Sequence, residues 1–289
     1  MRFGVIGTSW WAGEIHAAGV AGHPEAVLAG VWGRDPARTQ ALADRYDVDP
    51  YADLDALFDA VDAVTFSVSP QVQAELAVRA AAAGKHLLLE KPLAIGLPAA
   101  EQVVQAVDAA GVAALVFFND RYLPEPEDFL TSMTGAVGGR AEWLACLQTP
   151  DNPFAHSPWR HAQGALWDVG PHALAALLPV LGPVRDVTGA RGPGDLVHLV
   201  LTHNSGAVST AALSLTMPEH ATRVVLEFTR EDGFHRRPDR GRGALDAHRN
   251  AVADLITLAR TGHRDHRCNV HFARDVVAIL DKAAHHLDP

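Results

Sequence analysis

The chain has 289 residues and a formal net charge of −10 at pH 7. This length predicts two domains or one large one, and a hydrophobic content of 48% is enough for buried cores. The negative charge argues against nucleic acid or an anionic membrane as a partner, and no uninterrupted apolar run approaches the ~18 residues of a membrane span. Two cysteines give no disulfide framework, and no basic-then-apolar leader precedes the first strand, so we expect a cytoplasmic protein.

The N-terminal residues predict a strand, a glycine-containing turn and a helix, in that order. Residues 2–7 form a short apolar run and residues 12–21 have helical character, which is the context that a phosphate-binding turn requires. Gly7 occupies the first glycine position and Ala12 the third, where alanine is tolerated, whereas Ser9 replaces the second glycine. The motif is weak in isolation, and an ordinary turn between strand and helix is the alternative.

The end of the second predicted strand, residues 26–32, bears on the choice of cofactor. NAD-binding folds usually place an acidic residue about 20 residues beyond the glycines, where it binds the ribose 2′-hydroxyl. Here that position is Gly33, and Arg34 follows it. A missing carboxylate beside an arginine suits a 2′-phosphate, so we expect NADP rather than NAD. Two alternatives stay open, since Asp35 could rotate towards the ribose and Arg34 could be a surface charge.

Four more strands, at residues 48–51, 63–67, 86–89 and 112–118, alternate with helices at 36–46, 54–58, 71–83 and 97–110. Six strands in such alternation predict an α/β unit with a doubly wound parallel sheet, the Rossmann arrangement. The fifth strand is apolar without alternation, as buried parallel strands are, and Glu90, Lys91 and Pro92 follow it. Ligands bind at this edge of such sheets, and an amine that can lose its proton permits proton-linked chemistry at Lys91. A solvated salt bridge at a strand end is the alternative.

The composition changes at residues 119–124, so we expect a dinucleotide-binding domain at 1–118 and a substrate-binding and oligomerisation domain at 119–289. The second half predicts an α+β domain on a largely antiparallel open sheet. Its predicted strands are 141–149, 184–190, 196–203, 207–217 and 223–229, and its helices are 125–133, 171–181, 244–261 and 272–287. Residues 230–243, rich in arginine and glycine, predict a solvated, mobile loop, with closure over a phosphorylated or nucleotide-linked substrate as the alternative.

Two polar groups in the second half are candidates for chemistry. Asp168 lies four residues before His172, which falls in the first turn of the helix at 171–181, so the carboxylate can orient the imidazole or bind a substrate hydroxyl. A capping aspartate and a structural histidine are the alternative. The spacing of a second group suits zinc ligands, but we interpret it as a polar turn and predict no metal. This second group comprises His263, His266, Cys268 and His271.

The motifs on the two halves occur together in a known family. Glu90-Lys91-Pro92 follows Ala83-Gly84-Lys85-His86, and Asp168 and His172 come later, after Trp159-Arg160 and Gly164. With the glycine turn also in place, the chain resembles the Gfo/Idh/MocA oxidoreductases over nearly its whole length. One departure is Pro70-Gln71-Val72-Gln73-Ala74 after the fourth strand, where the family often has Pro-Asn-x-x-His, so that histidine is absent.

The resemblance implies an oxidoreductase that moves hydride between a nicotinamide and a carbonyl or secondary alcohol of a sugar, cyclitol or related small molecule. It implies that His172 is the general acid/base, that Lys91 polarises the reacting oxygen or relays its proton, and that Asp168 positions substrate and imidazole, reaching across to Lys91. We expect a homodimer or homotetramer. The residues implied to bind the cofactor are Gly7, Thr8, Ser9, Trp10, Trp11, Ala12, Arg34, Ser67, Ser69, Pro70, Glu90, Lys91, Asn119, Trp159 and Arg160.

Two other functions remain open at this point. Ser9 in the glycine turn and Ala74 in place of the family's histidine are compatible with a non-catalytic NADP-binding sensor or regulator. A reductase of imines or tetrapyrroles on the same scaffold is the other alternative. Intact Lys91, Asp168 and His172 favour the dehydrogenase or reductase.

Overall fold

The computed structural model describes residues 1–147, 149, 151–238 and 243–287, and the chain forms two compact units. The first comprises Met1–Leu123 with Arg242–Arg274, and the second comprises Pro124–Gly241 with Asp275–Pro289. These units do not follow the expected division at residue 118. The helix Ala244–Thr261 packs against the first sheet, and for this reason a late segment of the chain belongs to the first unit.

The first unit contains a parallel sheet. Its strands in the described residues are β1 (Arg2–Ile6), β2 (Val27–Trp32), β3 (Asp49–Tyr51), β4 (Ala63–Phe66), β5 (His86–Glu90) and β6 (Ala114–Phe117). They lie in the order β3-β2-β1-β4-β5-β6, which is the doubly wound arrangement that the alternating pattern predicts, so the predicted fold is confirmed. Leu87, Leu88 and Leu89 of β5 are fully buried, as expected of a central strand covered on both faces. The order reverses between β1 and β4, and ligands bind beyond the strand ends at such a point.

The second unit contains a mixed, mostly antiparallel sheet, as predicted. Its strands in the described residues are β7 (Gly138–Leu144), β8 (Val184–Arg191), β9 (Val197–His203), β10 (Val208–Ser214), β11 (Arg223–Arg230) and β12 (Gly233–Arg236). They lie in the order β12-β11-β7-β10-β9-β8, and β7 and β10 are the parallel pair. Alternation places Ala141 and Leu213 on the buried side and Val200 and Val208 on the exposed side.

Most helices follow the predicted positions in both units. The first helix begins as a π-helix, Ala12–Ala17, and continues as α1 (Ala18–Ala21). The others are α2 (Pro36–Tyr46), α3 (Leu54–Ala60), α4 (Pro70–Ala82), α5 (Leu97–Ala110), α6 (Pro124–Ser132), α7 (Pro158–Asp168), α8 (Gly170–Leu181), α9 (Ala244–Thr261) and α10 (Val270–Leu287). Asp35 caps α2 by accepting hydrogen bonds from two backbone N–H groups, and Pro36 fills the first helical position, as the sequence predicts.

Two predictions for the second half are wrong. The strand predicted at 141–149 begins at Gly138 and ends at Leu144, because β7 pairs along this whole length with both β10 and β11; Gln148 lies outside the described residues. Part of the loop predicted at 230–243 is β12, which turns at Gly233 (φ 126°) and pairs with β11. An edge strand tolerates charged residues, and this explains why its composition indicated a loop. Residues 239–242 of that segment lie outside the described residues.

The segment Pro158–Leu181 was not predicted to be helical before residue 171, yet it forms α7 and α8. Gly164 interrupts α7 with a non-helical backbone (φ 67°, ψ −167°). By length and composition alone, this stretch is the one in the described residues that could cross a membrane, but 72% of its most apolar window is buried inside the protein, as a core helix is.

Candidate active site

The turn after β1 brings two strand ends into close contact. Gly7 has a φ of 125°, and a Cβ atom at this position would lie 2.3 Å from the carbonyl oxygen of Ser67, just beyond β4. Only glycine satisfies both constraints. A tight turn of this kind is what the first glycine of a phosphate-binding motif provides, so these residues fit a dinucleotide pyrophosphate.

Ser9, which replaces the second glycine, is used within the turn. Its Oγ accepts a hydrogen bond from the Ala12 N–H (3.2 Å) and lies 3.1 Å from Oγ of Ser67. The hydroxyl therefore satisfies a donor at the start of the first helix, the end of a helix that favours anions. Ser9 and Trp10 are exposed here and Thr8 is partly exposed. Ser9 thus supplies a hydroxyl at a position where the motif usually has a glycine with no side chain.

The π-helix determines which side chains point towards the end of β5. The Ala18 N–H bonds to the carbonyl oxygen of Gly13, five residues back. In an α-helix, side chains five residues apart point about 140° away from each other, whereas i→i+5 bonding places them nearly one turn apart on one side. Trp11 and His16 are five residues apart, and both contact the same carboxylate, that of Glu90.

The Glu90 carboxylate is turned into the protein, and its side chain is only 14% exposed. Oε1 accepts hydrogen bonds from Nε1 of Trp11 (2.6 Å) and Nε2 of His16 (3.0 Å). Oε2 accepts the backbone N–H of Lys91 (3.1 Å). A carboxylate has no proton to donate, so the His16 Nε2 carries the hydrogen in this contact. The structure therefore shows Glu90 as a link between the first helix and the lysine peptide.

A glutamine holds the same segment from the other side. Nε2 of Gln73 donates to the carbonyl oxygens of Glu90 (2.7 Å), Pro92 (3.2 Å) and Leu93 (3.2 Å). Its Oε1 accepts the Glu90 N–H at 2.7 Å. Gln73 is fully buried. The backbone on both sides of Lys91 is thereby held in one conformation, while the Lys91 side chain is partly exposed at the end of β5.

Behind Glu90 lies a buried pair of imidazoles. Nδ1 of His16 lies 2.6 Å from Oγ1 of Thr65 and 3.2 Å from Nε2 of His248, which belongs to α9. His248 is fully buried, and its Nδ1 has no hydrogen-bond partner among the described residues. A Cβ atom at Gly19 would lie 2.3 Å from that nitrogen, so α9 can approach the first helix only at a glycine.

The pKa values of Glu90 and His248 are shifted by their surroundings in this cluster. Burial raises the pKa of Glu90, but hydrogen bonds from His16 and Trp11 and the charges of His16 and Lys91 outweigh burial and bring it below its usual value. Burial lowers the pKa of His248 well below its usual value, and the nearby His16 lowers it further. Glu90 is therefore ionised and His248 neutral near pH 7.

The end of β2 explains the glycine at the ribose-binding position. A Cβ atom at Gly33 would lie 2.6 Å from Cγ2 of Thr8 and 3.0 Å from Oγ1 of Thr39, so the space is already filled. The Asp35 carboxylate accepts the N–H groups of Ala37 and Arg38 as the cap of α2. Arg34 is exposed at the same strand end. In this arrangement the carboxylate of Asp35 is engaged and the guanidinium of Arg34 faces solvent.

In the second unit, Asp168 is buried and paired. Its Oδ2 accepts a hydrogen bond from Nε of Arg160 at 3.0 Å, and the Asp168 side chain is 8% exposed. The guanidinium of Arg160 lies over the rings of Phe154 (4.3 Å) and Trp159 (4.6 Å), and it donates to Oγ of Ser157 at 3.2 Å. The predicted residues Trp159, Arg160 and Asp168 therefore form one cluster.

His172 lies in the first turn of α8, as predicted, and is partly exposed. Its ring stacks on Trp143 of β7 with a centroid distance of 6.4 Å and an angle of 10°. The guanidinium of Arg237, just after β12, lies 5.8 Å from the Trp143 ring centroid. The helix-covered side of the second sheet thus carries an imidazole, an indole and a guanidinium in contact.

Comparison with known proteins identifies the family. The sequence profile described as "Oxidoreductase family, NAD-binding Rossmann fold" of the Gfo/Idh/MocA group matches residues 1–118. D-xylose 1-dehydrogenase (NADP(+)) 2 from Haloferax volcanii is 30% identical over 235 residues, which are 76% of this chain and 71% of that protein. The chain belongs to the Gfo/Idh/MocA oxidoreductase family.

Two further relatives extend the comparison over most of the chain. The dTDP-3,4-didehydro-2,6-dideoxy-alpha-D-glucose 3-reductase of Streptomyces antibioticus is 26% identical over 280 residues, covering 89% of this chain and 83% of that protein. A solved structure of UDP-N-acetylglucosamine 3-dehydrogenase from Acidithiobacillus ferrooxidans has a TM-score of 0.84 at 22% identity and covers 100% of this chain and 98% of that one. At that identity the structural match concerns the fold.

The residues expected to bind the cofactor of this Gfo/Idh/MocA protein fall into groups. Those of the first unit lie at the glycine turn, at the ends of β2, β4 and β5, and after β6, where Asn119 begins a 3₁₀ helix. Ser69 precedes α4 and Pro70 is its first residue, although the Ser69 side chain makes no cap hydrogen bond. Trp159 and Arg160 lie in the second unit. Their assignment to the cofactor, and that of Lys91, Asp168 and His172 to catalysis, stays a prediction.

Sequence reasoning missed several residues of this cluster. His16, Thr65 and His248 are far apart in the chain, and no spacing rule connects them. Gln73 was noted only as part of a departure from the family pattern, and Trp143 lay within the strand predicted at 141–149 without being singled out. A histidine on a helix whose other polar side chain is Glu14 was the signal available for His16.

Two of the four residues with zinc-like spacing pair with different aspartates. Nε2 of His266 lies 3.1 Å from Asp254, and Nε2 of His271 lies 3.1 Å from Asp108. Cys268 is fully buried and His263 is exposed. Across the described ranges, no three His, Cys, Asp or Glu side chains are grouped as metal ligands would be.

The buried His248 predicts a pH-dependent stability. Its folded-state pKa is lowered, so below its usual value of about 6.5 the unfolded chain binds a proton that the folded chain does not. Stability therefore falls as the pH decreases from 7.5 to 5.5, by up to about 1.4 kcal/mol per pH unit from this group. Glu90 titrates below this window. Replacing His248 with Gln should flatten the slope, measured as the urea midpoint at each pH.

The control for this prediction is His263→Gln, because His263 is exposed. It should leave the pH dependence of the midpoint as in the parent protein. Equal slopes for the parent and His248→Gln would show that His248 is not the group responsible.

Proposed function

We propose that this protein is an NADP-dependent dehydrogenase or reductase that acts on a hydroxyl or carbonyl group of a sugar, cyclitol or related polyol. The observation that carries the proposal is the clamped peptide of Lys91, which Glu90 and Gln73 hold at the end of β5. A lysine so fixed at the ligand-binding edge of a doubly wound sheet suits proton-linked chemistry. The names of the relatives, a xylose dehydrogenase and a deoxysugar reductase, support a sugar-like substrate.

Each catalytic residue has a role in this proposal. The bound nicotinamide supplies or accepts the hydride. His172 takes the proton from the substrate hydroxyl during oxidation or returns it during reduction. Lys91 polarises the reacting oxygen with its amine, and Asp168, held by Arg160, positions the substrate and His172.

The preference for NADP over NAD rests on the end of β2. The Asp35 carboxylate already accepts hydrogen bonds from two backbone N–H groups of α2, so it is a poor ligand for a ribose hydroxyl. Arg34 is exposed beside the glycine turn and suits a 2′-phosphate. The xylose dehydrogenase relative is named for NADP(+), whereas several solved structures on this fold contain NAD or NADH.

A non-catalytic sensor on the same fold is the second candidate. Ser9 replaces the glycine that usually leaves room for the pyrophosphate, and it occupies the Ala12 N–H. A protein that binds nucleotide without turnover would tolerate this change. The sensor predicts ligand binding that survives loss of Lys91 and His172, which separates the two functions. In either case we propose a cytoplasmic protein whose partners are small molecules and other copies of this chain.

For the proposed function, the first prediction concerns the cofactor. Arg34→Ala should weaken NADPH binding by about 1–3 kcal/mol, the range of one charge-assisted hydrogen bond, and leave NADH binding nearly unchanged. Arg79→Ala, an exposed arginine on α4 that pairs with Asp55, is the matched control and should change neither affinity. Fluorescence titration with both cofactors measures this. Equal NADPH and NADH affinities in the parent protein would contradict the prediction.

The second prediction concerns catalysis. Once a panel of polyols, ketoses and nucleotide sugars yields a substrate, Lys91→Met and His172→Ala should each lower kcat by about 10² to 10⁴. The double variant should lose less than the product of the single losses, because both groups act on one proton transfer. The dissociation constant of NADPH should stay within about twofold, since the Gly7 turn holds the pyrophosphate.

The controls for catalysis are Lys282→Met and His263→Ala, which alter exposed side chains and should retain full activity. If both Lys91→Met and His172→Ala kept the parent's turnover, these residues would return to a structural role. A parent protein that binds NADPH and a polyol but turns over nothing would favour the sensor.

The third prediction concerns assembly. The exposed side of the second sheet carries Val200 and Val208, at 44% and 47% exposure, and an open sheet face with apolar side chains is suited to symmetric self-association. We expect a homodimer or homotetramer by light scattering. Val200→Glu should dissociate it, whereas Val27→Glu, at a position 53% exposed in the first unit, should not. A parent protein that is monomeric at micromolar concentration would rule this out.

A further inference from the structure

The Glu90 carboxylate, to which the proposed chemistry assigns no step, joins two structural elements. One oxygen is held by Trp11 and His16, and the other accepts the backbone N–H of Lys91. The first helix and the lysine peptide are therefore connected through a single side chain. Any change in the position of that carboxylate is transmitted to the residue that carries the amine.

We propose that His16 and Trp11 are positioning residues for catalysis, which fix the Glu90 carboxylate and through it the backbone of Lys91. The inference rests on the proposed function, because it assigns the amine of Lys91 to the reaction. His16 is fully buried, and its ring is held among Glu90, Thr65 and His248. Its effect on turnover would therefore be indirect.

The local geometry explains why these two residues perform this task. The π-helix brings side chains five residues apart to one side, and so both donors reach Oε1 of Glu90. His16 is itself held by Thr65 from β4 and faces His248 from α9. Its ring consequently has little freedom to rotate away from Glu90.

The charged groups around Glu90 connect this arrangement to pH. The titratable groups that face its carboxylate are His16 and Lys91. His248 in turn faces His16. The described parts of β4 and α4 contribute Thr65 and Gln73, which do not titrate. Contact with His16 helps to lower the pKa of Glu90. Without His16, that pKa rises, and protonation then weakens the carboxylate as an acceptor for the Lys91 N–H.

The experiment compares the pH profiles of kcat for His16→Ala and His16→Gln. His16→Ala should lower kcat by about 10- to 100-fold, the cost of a small misplacement near the chemistry, with KM and the NADPH dissociation constant nearly unchanged. The pH at which kcat falls on the acidic side should move upward. His16→Gln keeps a donor to Glu90 but no charge, so it should restore most of kcat at pH 8 while the acidic limb stays shifted.

The matched control is His203→Gln. His203 is equally buried, and its ring bonds to the Gly182 carbonyl oxygen (2.7 Å) and to Ser209 (2.8 Å), but it lies in the second sheet. The His203→Gln change should lower the stability of the protein, but it should not move the pH at which kcat falls on the acidic side. Trp11→Phe removes one donor to Glu90 and should shift the limb in the same direction as His16→Ala, and it carries the test if His16→Ala does not fold.

A second measurement does not depend on turnover. The chain has lysines only at positions 85, 91 and 282, so acetylation of each by an N-hydroxysuccinimide ester can be followed by peptide mass spectrometry. His16→Ala should change the pH profile of labelling at Lys91 and leave Lys282, which is exposed and paired with Asp186, as in the parent. His203→Gln should change neither.

The two measurements separate failure of this inference from failure of the proposed function. If the parent protein has no turnover but Lys91 labelling responds to His16, the positioning role stands and the dehydrogenase does not. If turnover exists and neither the acidic limb nor Lys91 labelling responds to His16→Ala, His16→Gln or Trp11→Phe, the positioning role is overturned.

Discussion

A buried carboxylate must be given hydrogen-bond donors, and in this protein that requirement determines the structure at the end of strand β5. Removing an unpaired carboxylate from water costs several kcal/mol, more than most single contacts recover. Glu90 meets the requirement with donors that lie 79 and 74 residues earlier in the chain, Trp11 and His16, and with the N–H of its neighbour Lys91. A motif of three adjacent residues thus depends on the first helix, and the π-helix is the local feature that lets both donors reach one oxygen.

The small residues of the first unit have a packing explanation as well as a functional one. Gly7 is required because a side chain would overlap the carbonyl oxygen of Ser67. Gly33, at the position where other folds carry an acidic ribose ligand, is required because Thr8 and Thr39 fill the space beside it. The absence of a carboxylate there therefore has a packing explanation in this chain, because a larger side chain would displace Thr8 or Thr39. Selectivity for the cofactor then depends on Arg34, whose guanidinium is exposed.

The first unit could be predicted from sequence because its signals are local. Alternation of strands and helices determines a doubly wound sheet, and Asp35-Pro36 marks the start of α2 by known capping chemistry. The second unit was harder. The edge strand β12 has the composition of a loop, and β7 begins at two glycines that lie before the strand predicted from residue 141. The cluster of His16, Thr65 and His248 could not be predicted from the sequence, because these residues come into contact only in the folded sheet and α9.

The second unit contains a pairing that a regular helix could not make. Arg160 and Asp168 are eight residues apart, and in a continuous α-helix that separation is about 12 Å along the axis and nearly a quarter turn around it. Their side chains nevertheless meet at 3.0 Å. Gly164, midway between them, departs from helical geometry with a positive φ that favours glycine, and so redirects the chain. The glycine ahead of the Asp168 and His172 motif is therefore part of the motif in a physical sense, since a residue with a side chain would resist the bend that brings the guanidinium to the carboxylate.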